Sequence, residues 1–367
     1  MKILSAFGTR PEAIKMCPLI LELKKHTGIE SVVCLTGQHK EMIDPVMDFF
    51  GVSADYNLKI MKDNQTLSDV TIGVLEKFGV VLEKEKPDLV FVHGDTTTSF
   101  AVALSCFYHH IPTGHIEAGL RTYDMTSPFP EEFNRQSVDM LSSIYFAPTN
   151  TAKHNLLKEG KNTDLIYVTG NTVIDALRYT VFEDYHNKDL DWAVGKRLIL
   201  MTAHRRENIG EPMRQMFAAI RKIADENDDV RIIYPIHKNP KVRKIAYEYF
   251  QESLNIRIIE PLDVVDFHNY LARSFLVITD SGGIQEEAPY FGVPVLVMRN
   301  TTERPEGIES GTVRLIGTSE ESVYANVKSL LDDTEEYLKM HNSINPYGDG
   351  HASERIVEAT IDILKKG

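Results

Sequence analysis

The stretch KILSAFGTRPEAIKM, residues 2–16, decides the fold. Lys2 to Phe7 reads as a buried strand, Gly8-Thr9-Arg10-Pro11 makes a turn, and a helix rich in Ile, Leu and Lys runs to about Lys25. That is the opening of a doubly wound α/β domain. The alternation continues outward with SVVCLTG (31–37), a helix around Met42–Phe50, a helix near Leu67–Lys84, DLVFVHGD (88–95), a helix near Thr97–His109, TGHIEAG (113–119) and a helix after Pro130. Continuous apolar strands separated by helices imply a parallel sheet covered on both faces.

A second series follows the charged, weakly apolar stretch Glu183–Lys196. It comprises RLILMTAH (197–204), a helix from about Met213 to Ala224, VRIIYPI (230–236), IRIIE (256–260), FLVITD (275–280) and VPVLVM (293–298). Two Rossmann-like domains are therefore expected, 1–170 and 171–352, with the amphipathic segment 353–367 completing the first. No fixed-period repeat, heptad run or low-complexity segment interrupts the pattern.

Bulk properties narrow the function. The 367 residues, 43% hydrophobic and 25% charged, suit two or three globular domains. The longest apolar stretches fall far short of the roughly 20 residues of a membrane helix, and the N-terminal sequence lacks a signal-peptide pattern, so a soluble cytoplasmic protein is expected. Cys17, Cys34 and Cys106 show no CxxC spacing and read as reduced thiols rather than a zinc site. A formal net charge of −13 argues against nucleic-acid binding, so any phosphate must be held locally by few residues.

Ligands of open α/β sheets bind beyond the strand carboxyl ends, which singles out the polar residues after each apolar run. After FLVITD, the turn Ser281-Gly282-Gly283 offers backbone N–H groups to a diphosphate, or is an ordinary helix cap by Ser281. Glu287, one turn on, reaches ribose hydroxyls or is a solvated carboxylate. Arg10 suits bidentate phosphate contact or pairs with Glu12 on the surface, and Lys15 has a similar alternative as a solvated helix residue. The turn departs from GxGxxG, which disfavours dinucleotide binding.

Asp95 is a helix cap or a base. Glu117 lies at a strand end among small residues, where an unpaired carboxylate is costly; its alternative is a salt bridge to Arg121. Glu131 opens a helix and forms an i,i+4 pair with Arg135. Together, Asp95, Glu117 and Glu131 give one domain three carboxylates at switch-point loops. At the end of RLILMTAH, His204 stands with Arg205 and Arg206, a grouping best explained by an anionic ligand.

The stretches FGTRPEAIKM, TGQH, HGDTTTSFA, GHIEAGLRT, SPFPEEFNRQ, VTGNTVID, TAHRREN, TDSGGIQEEA, GVPVLVMRNTTERPEG and NPYGDG resemble, in order and over nearly the whole chain, the bacterial non-hydrolysing UDP-N-acetylglucosamine 2-epimerases. The resemblance implies a glycosyltransferase-B-type fold with two Rossmann-like domains facing across a cleft, a homodimer, and no nicotinamide cofactor or metal. It implies acid/base roles for Asp95, Glu117 and Glu131, and diphosphate contacts for Arg10, Lys15, His204 and Ser281-Gly282-Gly283. It places Glu287 at the ribose, lets Phe267 and Arg304 line the nucleotide site, and adds Arg135 and Arg206 to the substrate-binding set. It further implies a second substrate molecule as activator, with Gln38, His39 and His237 matching its contacts. Glu41 and Asn64 depart from the pattern, standing where Gln and Arg are expected, so such activation is either lost or uses altered contacts.

The implied chemistry demands these groups. The C2 hydrogen of N-acetylglucosamine is not adjacent to a carbonyl, so its removal needs UDP to depart from C1 by anti elimination, giving 2-acetamidoglucal. UDP then re-adds and a proton returns to the opposite face, which yields UDP-N-acetylmannosamine for cell-surface polysaccharide. The leaving diphosphate needs dense positive and N–H character, and inversion needs proton carriers on both sugar faces. Closure of the domains would keep water from the glycal. The nearest rivals are a hydrolysing 2-epimerase and a transferase of the same fold; a non-catalytic sugar-nucleotide sensor need not keep all three carboxylates.

Overall fold

The computed structural model describes residues 1–37, 40–62, 65–302 and 304–366. The chain forms two compact units, Met1–Arg178 together with the segment from Tyr347 onward, and Tyr179–Pro346.

In the first unit, strands β1 (Lys2–Phe7), β2 (Glu30–Leu35), β3 (Tyr56–Asn57), β4 (Leu89–His93), β5 (Thr113–Ile116), β6 (Ile144–Ala147) and β7 (Ile166–Val168) make a parallel sheet in the order β3-β2-β1-β4-β5-β6-β7. In the second, β8 (Arg197–Thr202), β9 (Val230–Pro235), β10 (Ile256–Ile259), β11 (Leu276–Thr279), β12 (Val295–Val297) and β13 (Val313–Leu315) pair in parallel as β10-β9-β8-β11-β12-β13. Both orders reverse once, at β1/β4 and at β8/β11, which is the doubly wound arrangement. The two units have the α/β architecture of the glycosyltransferase-B type.

The central strands are apolar without alternation because helices cover both their faces. Ile3, Leu4, Phe7, Val90, Phe91 and Val92 are all fully buried, as are Ile199, Leu200, Val277 and Ile278. Each such side chain contributes about 1.5–3 kcal/mol relative to exposure. The short strands β3, β6, β7 and β13 carry too few residues to announce themselves by pattern. Helix Arg10–Lys25 starts on a capping box between Thr9 and Glu12, with Pro11 in its first turn.

The units divide at Arg178/Tyr179 and Pro346/Tyr347, not after residues 170 and 352. The reason lies in helix Thr172–Thr180, whose first turns belong to the first unit. The Asn171 N–H donates to the Tyr347 carbonyl at 2.7 Å. The buried Asp175 carboxylate accepts the N–H groups of Ala352 at 3.1 Å and Ser353 at 2.7 Å. Asp175 thereby caps the final helix, Ala352–Lys366, which packs against Arg10–Lys25.

Among the described residues, no helix is long and apolar enough to cross a membrane. All three cysteines are free and buried.

Replacing Asp175 by Ala orphans two buried N–H groups, at a cost of about 1–3 kcal/mol for each. The Asp175→Ala variant is expected to unfold at lower urea concentration, with Asp175→Asn intermediate; an unchanged midpoint would contradict this capping role.

Candidate active site

The two sheet reversals gather the chemistry-bearing loops. Arg10 follows β1 and Asp95 follows β4, while His204 follows β8 and Ser281 follows β11.

In the first unit, Glu12 is buried and does not pair with Arg10. Its Oε2 accepts the N–H groups of Gly8 at 3.0 Å and Thr9 at 2.7 Å, and its Oε1 accepts the hydroxyls of Thr96 at 2.8 Å and Ser99 at 3.0 Å. The carboxylate joins the β1 turn to the start of helix Thr97–Tyr108. Burial pushes its pKa up, against the effect of those donors. Arg10 has no side-chain partner among the described residues and is half-exposed. Helix Thr97–Tyr108 is capped by Thr96, whose hydroxyl accepts the Ser99 N–H at 3.0 Å, so Asp95 is not the cap.

Glu117 sits at the end of β5 with φ of 69°, a left-handed conformation that costs a non-glycine residue about 1–3 kcal/mol. The N–H groups of Glu117 and Ala118 both donate to the Phe146 carbonyl at 3.1 Å. Gly119 beside it also has positive φ, and a Cβ there would lie 2.3 Å from the Ala152 carbonyl oxygen, which excludes any larger residue. The Glu117 carboxylate pairs not with Arg121 but with Lys15, the two side chains 9% and 16% exposed. The same oxygen, Oε2, accepts from Asn171 Nδ2 at 2.9 Å and lies 3.5 Å from His93 Nε2. Lys15 is thus no solvated surface residue.

Arg121 is spent elsewhere. It pairs with Asp139 and Glu159, both at 2.7 Å. Asp139, fully buried, also bonds His115 Nδ1 at 2.6 Å and the Gly119 N–H at 3.1 Å, and His115 Nε2 meets the Gly94 carbonyl at 2.9 Å. Burial would raise the Asp139 pKa, yet His115 and Arg121 together hold it below the usual range. This cluster ties the loop bearing Asp95 to the loop bearing Glu117.

Asp95 pairs with Arg135 at 2.5 Å, and Arg135 also approaches Glu132 at 3.3 Å. The expected Glu131–Arg135 pair is absent because Arg135 turns towards Asp95. Glu131, half-buried at the start of helix Glu131–Leu141, has no side-chain partner among the described residues.

In the second unit, fully buried Asp280 organises the β8 loop. It accepts the His204 and Arg205 N–H groups, each at 2.9 Å, and the Asn208 amide at 3.2 Å. The His204 ring, 40% exposed, stacks on His237 with centroids 5.6 Å apart. This brings together two residues that the sequence assigned to different sites. Arg206 is exposed. Ser281 does not cap the following short helix, Ile284–Glu287, with its side chain. The N–H groups of Gly282, Gly283 and Ile284 have no partner among the described residues, the donor set an anion needs. Gln285 fixes the turn by donating to the Ser281 carbonyl at 3.0 Å, and Thr302 donates to Gln285 at 2.8 Å.

Glu287 lies 3.6 Å from His268, whose other ring nitrogen bonds Thr180 at 2.7 Å. Arg304 pairs with buried Glu286, and Phe267 is half-buried at the edge of the core. Gln38, His39 and Asn64, and the side chain of Glu41, lie outside the described residues. Among the described residues no group of three or more His, Cys, Asp or Glu could hold a metal ion. Sequence reading missed Glu12, His93, Asp139, Asn171 and Asp280; only the TxxE spacing of Thr9 and Glu12 carried a readable signal.

Burial drives the His93 imidazole down to about 3, against the opposing effect of Glu117. The folded state therefore stays neutral where the unfolded chain takes up a proton below pH 6.5, and stability falls as pH drops from 6.5 towards 3. Each pH unit in that window costs about 1.4 kcal/mol. Between pH 7 and 5, His93→Gln is expected to lose about 2 kcal/mol less unfolding free energy in urea titrations than the unsubstituted protein. Equal losses would contradict the neutral buried imidazole.

The comparisons with known proteins agree on one family. A profile described as UDP-N-acetylglucosamine 2-epimerase matches residues 21–361. The UDP-N-acetylglucosamine 2-epimerase of Bacillus subtilis (strain 168) is 55% identical over 358 residues, covering 98% of this chain and 94% of its own. The crystal structure of a putative UDP-N-acetylglucosamine 2-epimerase from Listeria monocytogenes superposes with a TM-score of 0.95 at 52% identity, over 100% of this chain and 97% of its own. The Neisseria meningitidis UDP-GlcNAc 2-epimerase, solved with UDP-GlcNAc bound, gives 0.90 at 47% identity, over 99% of this chain and 100% of its own. With family-wide coverage at such identity, this chain belongs to the UDP-N-acetylglucosamine 2-epimerases, enzymes of the non-hydrolysing type.

Proposed function

We propose that the chain interconverts UDP-N-acetylglucosamine and UDP-N-acetylmannosamine by anti elimination and re-addition of UDP, with Glu117 taking the C2 proton. The C2–H bond breaks as the C1–O bond breaks, the latter electron pair leaving on UDP, and the former forming the C1–C2 double bond of 2-acetamidoglucal. Re-addition of the UDP oxygen at C1 and protonation of C2 from the opposite face complete the inversion. Every heavy atom of the sugar nucleotide is retained; the C2 hydrogen leaves to Glu117 and a different proton replaces it on the opposite face.

The observation that carries this reading is the Glu117 carboxylate, mostly buried on a strained backbone and held at one oxygen by Lys15 and Asn171. Strain of this kind persists where the surroundings over-determine it, as at catalytic positions. Asp95, paired with Arg135, and Glu131 are the remaining proton carriers for the opposite face. Arg10, His204, Arg206 and the N–H groups of the Ser281-Gly282-Gly283 turn supply the positive and donor character that stabilises departing UDP. Glu287 would meet the ribose, with Phe267 and Arg304 beside the base. No step needs a metal or a redox cofactor, and the product suits a supply role for cell-surface polysaccharide. A soluble nucleotide sugar and buried free thiols fit a cytoplasmic setting.

Self-association as a homodimer is supported by an apolar face on the first unit. Helices Leu67–Glu85, Thr97–Tyr108 and Glu131–Leu141 pack side by side and expose Ile72, Val80, Phe107, Tyr108, Phe133 and Met140, with Phe107 58% and Met140 76% exposed.

Glu117→Gln is expected to lower epimerisation by about 10²–10⁴-fold while UDP-N-acetylglucosamine still binds in calorimetry. Unreduced turnover would overturn the assignment. Product analysis of the unsubstituted enzyme is expected to give UDP-N-acetylmannosamine; free N-acetylmannosamine with UDP would mean the hydrolysing reaction. For the homodimer, Phe107→Glu combined with Met140→Glu is expected to halve the mass in light scattering, and an unchanged dimer mass would place the interface elsewhere.

A further inference from the structure

We infer that Asn171 is a positioning residue for the proton-transfer carboxylate, an inference that rests on the assignment of Glu117 above. VTGNTVID, residues 168–175, has no role in the chemistry so far, yet Asn171 reaches into it.

Asn171 is 3% exposed and stands immediately before helix Thr172–Thr180. Its backbone N–H donates to the Tyr347 carbonyl at 2.7 Å and its carbonyl accepts the Ile174 N–H at 3.0 Å. Its side-chain Oδ1 accepts the Val173 N–H at 3.0 Å, and its Nδ2 donates to Glu117 Oε2 at 2.9 Å. The backbone cannot drift, because Gly170 and Gly348 press together: a Cβ on Gly170 would lie 3.2 Å from the Gly348 Cα.

The start of the helix explains half of this side chain. An oxygen acceptor for the Val173 N–H could come as well from Asp, Ser or Thr. The amide N–H group is surplus to that task, and it is the part aimed at Glu117. The planar amide, anchored through Oδ1, presents Nδ2 in one direction. Lys15 is a point charge on a flexible stem: it stabilises the ionised carboxylate without fixing its plane. Neutral His93, 3.5 Å from the same oxygen, adds no charge. Of these three contacts, the one from Asn171 is the one that orients the Glu117 carboxylate, and positioning of a proton-transfer group within about 0.5 Å governs turnover.

The test uses two substitutions that keep an acceptor for the Val173 N–H. Asn171→Asp is near-isosteric but turns a carboxylate oxygen on Glu117, so the pair shares a proton and the remaining base titrates higher. The expected result is a kcat at pH 7 lowered about tenfold or more, an acid limb of the kcat profile moved up by about one pH unit or more, and a KM within about threefold. Asn171→Ser keeps a hydroxyl acceptor and cannot reach Glu117; its kcat is expected to fall about tenfold, with the acid limb moved less than in Asn171→Asp. Solvent exchange at C2 is expected to slow in step with kcat in both.

If both variants show the unsubstituted kcat and pH profile while Glu117→Gln is inactive, the positioning role is overturned and the assignment of Glu117 survives. If Glu117→Gln is itself fully active, the underlying assignment fails. Loss of kcat in both variants without any movement of the acid limb in Asn171→Asp would also overturn the inference, because a general packing defect does that.

Discussion

One buried carboxylate on each unit fixes the loops at the reversal of its sheet. Glu12 accepts two backbone N–H groups from the β1 turn and two hydroxyls from the start of the helix after β4. Asp280, at the end of β11, accepts the N–H groups of the β8 loop and the Asn208 amide. In both sheets the tie spans the reversal of strand order, joining the two loops that would otherwise part there. A buried charge without those partners would be prohibitively costly, so the loops are held in the arrangement that satisfies it. With Glu12 so occupied, Arg10 has no side-chain partner among the described residues.

A second layer of buried charge then shapes the first unit. His115, Asp139 and Arg121 join the loops after β4 and β5, and Arg121 is thereby taken from Glu117. Glu117 is left to Lys15, 102 positions earlier in the chain, and to Asn171. Arg135 is similarly drawn to Asp95. Two cations that local spacing would pair with their neighbours, Arg121 with Glu117 and Arg135 with Glu131, are therefore committed to other partners, which leaves Glu131 without a partner among the described residues.

That redistribution marks where sequence reading succeeds and where it stops. The long apolar strands β1, β2, β4, β8, β9 and β11 declare themselves because a parallel sheet buried on both faces leaves no polar alternation. The site loops follow from the strand ends, since polar residues beyond an apolar run have few other reasons to be there. Pairings such as Lys15 with Glu117 were illegible because nothing local encodes a contact over such a separation. The cap at Thr96 rather than Asp95, and the division at Arg178 rather than at 170, turn on a few hydrogen bonds, by Ser99 in the one case and by Asn171 and Asp175 in the other. The stack of His204 on His237 likewise joins two strand ends whose proximity only the sheet order supplies.

In the proposed reaction, inversion at C2 proceeds through loss of the C2 hydrogen to a protein carboxylate. It is tested most directly by incubating the enzyme with UDP-N-acetylglucosamine in D2O and following the C2 position by proton NMR. Deuterium is expected at C2 of the UDP-N-acetylmannosamine formed, and of recovered substrate as equilibrium is approached. Epimerisation with the original C2 hydrogen retained would contradict it.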